Sequence, residues 1–380
     1  MKILIASSEY YPLTNNQDVS EFVSGLAGML SQLGHDVRVI LPAYPDAINA
    51  ALPIDTVCSL ELAGCEETVR ILQADKRKFG LPVYLVEAKA MFSRHGHPYL
   101  DAHGQPRTDN LERFSMFSQV IFMMSLNQAG INWKPEVVHL NDWQTGTASA
   151  LLAQDWNRPA TIFSCHNLTA NFNFDPALLG PLKLPSWLKD NHNSQVNNLF
   201  SPTMTGLNYS DIVVTASNSA AALPASIKKS ANHIFNIAAL PASDRWNPAN
   251  DRYIHQSYDA STIDLKAANK SALQTGLDLS KDEKSCLITL FSDITDDRFD
   301  SQLVHIDTIE PMLKKHPVQL VICSRQTQFS EALEKLRNRY PNRIAMCNNL
   351  SEKLLHEIVA GSDVALFSNE NLLTRLLPLA

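Results

Sequence analysis

The sequence predicts an α/β protein with two doubly wound parallel sheets. Short continuous apolar runs alternate with stretches of helical periodicity, which is the pattern of parallel strands covered on both faces. At 380 residues the chain exceeds what one core ordinarily fills. The alternation also occurs in two series, separated by the polar helical stretch STIDLKAANKSALQTGLDL. We therefore expect a first domain at residues 1–250, a linker helix region at 251–284 and a second domain at 285–380.

Six apolar runs of the first series are typical of buried strands: KILIAS, DVRVILP, PVYLVEA, EVVHL, ATIFSC and DIVVTAS. Helical spacing after the first run, and the run SALLAQDW after the fourth, predict covering helices. The spaced apolar residues are Val19, Phe22, Val23, Leu26, Leu30 and Leu33. The second series, CLITLFS, VQLVICS, RIAMCNN and DVALFS, predicts a four-stranded sheet. Only twelve residues follow it, so we expect a truncated second domain.

Composition excludes several classes of function. The net charge is −7, with 32 basic and 39 acidic residues and no basic run, which disfavours a nucleic-acid partner. No apolar stretch approaches the ~20 residues that span a bilayer, and the start MKILIASSEYYP lacks the organisation of a signal peptide. The six cysteines are scattered without a CxxC pair. We expect reduced thiols, no metal site, no membrane partner and a cytoplasmic location.

Seven ordered stretches cover nearly the whole chain. They are SSEYYPL, LGHDVRVILPAYPD, PEVVHLNDWQTGTASALL, ATIFSCHNL, GLNYSDIVVTASNS, the segment from RWNPANDRYI to SALQTGLDL, and EIVAGSDVALF. Together they resemble the bacterial glycogen synthases and plant starch synthases. Those enzymes transfer glucose from ADP-glucose to the non-reducing end of an α-1,4-glucan. The resemblance implies a GT-B-like fold, in which two Rossmann-like domains face each other across a cleft.

The stretch HLNDWQTG retains part of the family's sugar site. The family carries HxHDW here, with the aspartate facing the sugar pocket; this chain keeps His139 and Asp142 but has Asn141 for the second histidine. The resemblance implies that His139 belongs to the substrate-binding remnant and Asp142 to the catalytic remnant. The alternative is that Asp142 simply caps a helix over residues 145–154.

The stretch FSCHNL places His166 after the fifth predicted strand. The family's corresponding histidine contacts the transferring glucose, which implies a catalytic remnant at His166; the alternative is a packed or capping histidine. We expect Asn167 to hold this loop through side-chain bonds to the backbone. Glu9 and Tyr10 follow the first strand and are expected to line the same cleft.

The resemblance fails where the family binds the donor's diphosphate in the first domain. The charge that develops on the leaving phosphate requires fixed cations and amide donors, which the family supplies with a Lys-Thr-Gly-Gly turn. The four aligned positions are Asn15, Asn16, Gln17 and Asp18. The pair Asp18 and Glu21 also predicts a capping box, with the protein's own carboxylate at the helix end. A carboxylate ~4 Å from a phosphate costs up to about 4 kcal/mol at intermediate dielectric.

The second domain shows the same loss. Where the family carries SRLxxQKG, this chain has FSDITDDRFD, with Asp293 at the arginine position and Arg298 at the lysine position. Arg298 is the remnant donor contact, and losing one charge-assisted contact typically costs ~1.5–3 kcal/mol. The first glutamate of the family's ExxxxxxxE segment falls on Leu372, and the Asn-Gly-Ile/Val-Asp turn before the linker becomes ALPA.

A histidine cluster in SRHGHPYLDAHG offers a different chemistry. His95, His97 and His103 lie close in sequence, which is compatible with a metal site. The family has a surface loop here whose RxGxPY segment resembles RHGHPYLD, so the alternative is a loop without metal, which we expect.

Three functional hypotheses follow. The first is a glycogen- or starch-synthase-like pseudoenzyme that takes no cofactor, has lost its ADP-glucose site and retains a role in binding either a protein or a glucan (α-glucan or maltooligosaccharide). The second is an active glucosyltransferase with altered donor contacts. The third is a non-catalytic partner of a genuine glycogen synthase. The number of cations in the cleft separates the first two hypotheses. A 10⁶-fold acceleration of glucosyl transfer needs about 8 kcal/mol of transition-state stabilisation, which is more than Arg298 alone supplies.

Overall fold

A computed structural model of the chain describes residues 1–14, 17–101, 103–166, 172–216, 234–237, 246–291, 306–324, 329, 331–348 and 350–367. Within those ranges, the side chains at positions 17, 18, 216, 236, 237, 306–308 and 367 lie outside the description. The chain divides into two compact units, Met1–Leu240 and Pro241–Ala380.

The first unit is built on one large, mostly parallel sheet. Its strands are β1 (Lys2–Ala6), β2 (Asp36–Pro42), β3 (Ile54–Leu60), β4 (Val69–Ala74), β5 (Val83–Glu87), β6 (Val137–Asn141), β7 (Ala160–Cys165), β10 (Ile212–Ala216) and β11 (Ile234–Ile237), and a separate hairpin pairs β8 (Gln195–Val196) with β9 (Leu199–Phe200). The order is β11-β10-β7-β6-β1-β2-β5-β4-β3. The predicted α/β class and all six predicted strands are confirmed.

Three strands of this sheet were not predicted. β3 and β4 extend one edge by antiparallel pairing, and β11 extends the other by parallel pairing with β10. The sequence IDTVCSL of β3 mixes polar and apolar residues, and most of its side chains are exposed. An edge strand of this kind lacks the continuous apolar run of a buried parallel strand.

Helices cover the sheet of the first unit. They are α1 (Gln17–Gln32), α2 (Pro45–Ala51), α3 (Lys76–Phe79), α4 (Lys89–Phe92), α5 (Asn110–Ser125), α6 (Trp143–Ala153) and α7 (Pro202–Tyr209), with short 3-10 turns at Pro176–Leu179, Ser186–Leu188 and His192–Ser194. None of the helices in the described part of the chain has the length and apolarity that a bilayer crossing requires.

Helix α1 confirms the predicted spacing but corrects two details. Leu33 lies beyond the helix and is 71% exposed, because the chain turns at Gly34 with a positive φ of 85°. The helix begins at Gln17, so Asp18 already has helical backbone and is not the N-cap of the predicted capping box. An acid in the first turn still complements the helix dipole.

Helices α6 and α7 pack unusually closely. A Cβ atom added at Gly146 would stand 2.0 Å from the carbonyl oxygen of Pro202, and one at Gly206 would stand 2.4 Å from the ring of Phe163. Both positions therefore require glycine for space. This contact fixes α6, whose N-cap position is Asp142, against α7.

The second unit contains a four-stranded parallel sheet, as predicted. Its strands are β12 (Cys286–Phe291), β13 (Val318–Ser324), β14 (Ile344–Asn348) and β15 (Val364–Phe367), in the order β14-β13-β12-β15. Its helices are α8 (Lys266–Gly276), α9 (Ile306–Lys315), α10 (Glu331–Arg339) and α11 (Glu352–Gly361), with a 3-10 turn at Ile263–Leu265. Separate apolar clusters lie on the two faces of the sheet, so it is covered on both.

The distinctive WNPAND segment packs onto helix α11. The Asp251 carboxylate lies 2.6 Å from Nδ1 of His356, whose ring stacks on Trp246 at 3.9 Å between centroids and meets Tyr253 edge-on. The His356 side chain is fully buried. The segment therefore has a structural role in the second unit.

Candidate functional site

The predicted site residues of the first unit lie at the carboxyl ends of three adjacent strands. β1 is flanked by β6, and β6 by β7, with Ala6 opposite Leu140 and Asn141 opposite Ser164. Because parallel strands end at the same edge of a sheet, the loops after them converge there.

Asp142 links the ends of β6 and β7. Its backbone N–H donates to the carbonyl oxygen of Ser164 at 2.8 Å, and its Oδ1 accepts from the backbone N–H of His166 at 2.7 Å. Asp142 has φ 57° and ψ −178°, a conformation that costs a non-glycine residue ~1–3 kcal/mol. It occupies the N-cap position of α6, but its side chain makes no cap hydrogen bond. The capping alternative is therefore wrong: the carboxylate orients the loop that contains His166.

Asn141 holds the ring of His166. Its Oδ1 lies 3.1 Å from Nε2 of His166, and its Nδ2 donates to the carbonyl oxygen of Ala6 at 3.1 Å. The ring of Phe22 in α1 meets His166 edge-on at 4.5 Å between centroids. Asn141 and Asp142 therefore fix the His166 ring and backbone respectively, and the ring remains partly accessible.

His139 is an interior residue of this edge. It is 5% exposed, and its Nε2 lies 2.6 Å from the hydroxyl oxygen of Ser164. Burial, and then the neighbouring His166, lower the pKa of His139 to about 3. At neutral pH the ring is therefore uncharged, and it serves as a neutral hydrogen-bonding group beneath the site.

Glu9 is a buried carboxylate partnered by a tyrosine. It is 1% exposed; its backbone N–H donates to Oγ of Ser7 at 3.1 Å, and its side chain is hydrogen-bonded to Tyr99. Burial, and then the charge of Glu9, raise the pKa of Tyr99. Tyr99 also meets Trp143 edge-on at 5.9 Å, and Trp143 stacks on Phe172 at 4.2 Å.

Sequence reasoning missed Tyr99 as a site residue. It lies in the histidine-containing loop, which the sequence predicts to be a surface loop. The signal was present in the Pro-Tyr pair of RHGHPYLD, but nothing local places that tyrosine against Glu9, because the two are 90 positions apart in the sequence.

Tyr10 faces the core instead of joining His166. It is 4% exposed, its ring meets Phe79 edge-on at 6.4 Å, and its backbone N–H donates to Oγ1 of Thr14. Burial raises its pKa to about 12. Its hydroxyl therefore stays protonated at neutral pH.

The histidine cluster forms a structured loop. Nδ1 of His97 accepts from the backbone N–H groups of Tyr99 and Leu100 at 3.3 and 3.2 Å, and burial lowers the pKa of His97. In the described ranges, no group of three or more His, Cys, Asp or Glu residues is arranged to hold a metal ion.

A buried arginine lies beneath this edge of the sheet. Arg113 in α5 is 1% exposed and donates to the carbonyl oxygen of Met91 at 2.8 Å and to Oδ1 of Asn110 at 3.1 Å. Its charge, and that of Glu9, act on the fully buried Tyr44, whose pKa burial raises. Arg113 is thus a core cation committed to protein acceptors.

The predicted donor-binding positions lie outside the described residues. These are Asn15, Asn16, Asp293, Arg298 and Leu372, together with the side chains of Gln17 and Asp18; the predicted loop residue Asn167 also lies outside. Their roles stay predictions from the sequence. What the structure assembles at this edge is the carboxylates of Glu9 and Asp142, the uncharged His139 and the partly accessible ring of His166.

Comparison with known proteins gives consistent results. Residues 2–223 match the family model for the starch synthase catalytic domain. The chain is 33% identical to glycogen synthase 1 of Methylococcus capsulatus over 377 residues, covering 96% of this chain and 75% of that protein. It is 31% identical to the glycogen synthase of Cellvibrio japonicus, covering 96% and 77%.

A solved structure shares the fold. The catalytic domain of starch synthase IV from Arabidopsis thaliana, bound to ADP and acarbose, superposes with a TM-score of 0.73 at 21% sequence identity. The match covers 96% of this chain and 77% of that one. At this identity the likeness establishes the GT-B fold that the sequence predicted.

Proposed function

Because the chain belongs to the starch synthase catalytic domain family, with the bacterial glycogen synthases, we propose that it recognises α-glucan in the cytoplasm and has lost efficient glucosyl transfer from ADP-glucose. The proposal is carried by the contrast between the hydrogen-bonded residues at the edge of the first sheet and the substituted diphosphate-binding positions. Hydrogen bonds join Glu9 to Tyr99 and join both Asn141 and Asp142 to His166, whereas of the aligned diphosphate-binding positions only Arg298 carries a cation and none carries a glycine.

The glucan part of the proposal rests on the chemistry of the cluster. Glu9 and Asp142 supply acceptor oxygens, and the neutral His139 adds no charge. A sugar offers many hydroxyl groups and no charge. Buried acceptors that would repel an anion can bind those hydroxyl groups at little electrostatic cost.

The donor part of the proposal rests on charge. In the family's turn a lysine and two glycines approach the diphosphate, whereas the aligned positions here end in Asp18. In the sequence of the second unit, Asp293 replaces an arginine, and Asp296 and Asp297 directly precede Arg298. Of the three cations that the family supplies to the leaving phosphate, one aligns with the neutral Asn15, one with Asp293 and one with Arg298, so stabilisation of several kcal/mol is lost.

A transferase assay tests the proposal. The purified protein is incubated with radiolabelled ADP-glucose and glycogen, with His166→Ala as the matched variant and a bacterial glycogen synthase as the positive control. We expect incorporation no greater than that of the variant. Elongation by the wild-type chain that His166→Ala abolishes would overturn the proposal in favour of an active enzyme with altered donor contacts.

The same preparation tests the partner hypothesis. Mixing the protein with a genuine glycogen synthase and separating by size distinguishes a mixed oligomer from two independent species. A mixed oligomer without glucan binding by this chain alone would replace glucan recognition with the role of a non-catalytic subunit.

A further inference from the structure

Trp156 is the most exposed large apolar side chain among the described residues. It is 94% exposed, compared with 71% for Leu33, the next in order. The indole lies in the loop between α6 and β7, in the sequence QDWNRP. A side chain of this size contributes nothing to the core when fully hydrated, and tryptophan is the residue type most enriched in binding hot spots.

The loop that presents Trp156 is anchored on both sides. Before it, the backbone N–H of Asp155 donates to the carbonyl oxygen of Leu152 at 2.9 Å, and Oδ1 of Asp155 accepts from the backbone N–H of Asn157 at 2.8 Å across Trp156. After it, the guanidinium of Arg158 binds both carboxylate oxygens of Asp211 at 2.6 and 2.7 Å. The indole is therefore displayed from fixed backbone, which lowers the entropic cost of binding a ligand.

An open pocket of about 590 Å³ adjoins the indole. Its lining includes Gln154, Asp155 and Arg158 besides Trp156. Arg158 is neutralised by Asp211, whose pKa it lowers to about 2. The lining thus combines one large aromatic face, an exposed amide, a carboxylate and a guanidinium paired with Asp211, which suits a neutral ligand.

We propose that Trp156 and this pocket form a second α-glucan-binding surface, on which the indole stacks against the apolar C–H face of a glucose unit. Gln154 and Asp155 then bind hydroxyl groups at the rim of the same unit. The choice of a glucan as occupant rests on the proposed function; the exposure, the anchored loop and the neutral pocket are independent of it.

This surface is separate from the cluster around His166. Asp142 precedes the first residue of α6, and Gln154 follows its last. Eleven helical residues span ~16 Å, so the two places lie at opposite ends of one helix. A glucan held at Trp156 leaves the His166 cluster accessible, and each place can be disabled alone.

Affinity electrophoresis through gels containing glycogen, with calorimetry on maltoheptaose, tests the proposal. The proteins are the wild-type chain, Trp156→Ala, Trp156→Phe, His166→Ala and Leu33→Ala, the last being a matched loss of an exposed apolar side chain. We expect Trp156→Ala to weaken glycogen binding about tenfold or more, Trp156→Phe to retain part of it, and Leu33→Ala to equal wild type.

The outcomes separate this surface from the proposed function. Glycogen binding that Trp156→Ala leaves unchanged while His166→Ala removes it would overturn the second surface and leave the proposed function standing. A wild-type chain that binds neither glycogen nor maltoheptaose would overturn both. Equal loss in Leu33→Ala and Trp156→Ala would also overturn the proposal, because the effect would then be a general consequence of surface substitution.

Discussion

Oδ1 of Asn141 lies 3.1 Å from Nε2 of His166, and this contact fixes which ring nitrogen carries the proton. Nδ2 of Asn141 faces the carbonyl oxygens of Ala6 at 3.1 Å and of His139 at 3.5 Å. A carbonyl oxygen only accepts, so the amide group has one possible orientation. Oδ1 also only accepts, so Nε2 of His166 is the donor, and the neutral ring leaves Nδ1 as an acceptor for a ligand hydroxyl.

We therefore predict that Asn141 selects the tautomer of His166. In protein labelled with ¹⁵N-histidine at alkaline pH, the His166 resonances, assigned with His166→Ala, should report the Nε2–H form in wild type. Asn141→Ala should shift them toward a mixture of both forms, because the acceptor is gone. The control is Ser164→Ala, which removes the side-chain partner of His139 only. An Nδ1–H form in wild type would contradict the assignment.

The buried His139 makes stability depend on pH. Its pKa is about 3 in the folded chain and ~6.5 when unfolded, so the unfolded state binds the proton first as pH falls. The contribution of neutral His139 is complete above about pH 6.5 and declines toward pH 3. From pH 7 to pH 5, the free energy of unfolding should fall by about 2 kcal/mol more in wild type than in His139→Gln. Urea unfolding at both pH values measures this change. If the free energy of unfolding falls equally in wild type and in His139→Gln, then His139 is solvated.

The close contact of α6 and α7 predicts a sharp response to one added methyl group. Gly146→Ala would place Cβ 2.0 Å from the carbonyl oxygen of Pro202, so a helix must move. We expect the free energy of unfolding to fall by about 3 kcal/mol or more. Gly28→Ala in α1 meets no atom within 4 Å and should instead stabilise by about 1 kcal/mol. Thermal unfolding of both variants checks this prediction. An unchanged stability of Gly146→Ala would contradict the close contact of α6 and α7.

In the second unit, the buried pair of Asp251 and His356 should support stability. Asp251→Ala leaves the buried Nδ1 of His356 without its partner at 2.6 Å, which should cost ~1–3 kcal/mol. Asp264→Ala removes an exposed acid and serves as the control. Urea unfolding followed by fluorescence, with Trp246 stacked on His356 as the local probe, measures both. Equal unfolding curves for Asp251→Ala and Asp264→Ala would mean that the WNPAND segment does not stabilise the second unit through His356.

The strands and helices were predicted correctly from the sequence wherever the local hydrophobic pattern agrees with burial in the folded chain. Continuous apolar runs such as DVRVILP mark strands buried on both faces, and all ten predicted strands are present. β3 was missed because an edge strand needs only one packed side, so its alternation is weak. The predicted extent of α1 was wrong at Leu33, where the hydrophobic period continues by chance one residue past the helix end at Gln32.

Pairings between distant residues could not be predicted from the sequence. The residue types at Asn141, Asp142 and His166 pointed to a site, but only the register of β6 against β7 shows that Asp142 binds the His166 backbone instead of capping α6. The partnership of Glu9 with Tyr99 likewise depends on how a surface loop folds back over β1. Local propensity carries no information about such contacts.

The most direct test of the central claim is calorimetric titration of the purified wild-type chain with ADP, then ADP-glucose, then maltoheptaose. The account predicts millimolar or weaker binding of both nucleotides, since Asn15 and Asp293 replace two of the family's diphosphate-binding cations, together with measurable binding of the glucan. Micromolar binding of ADP-glucose would contradict it, because the chain would then hold the donor through groups that the family does not use.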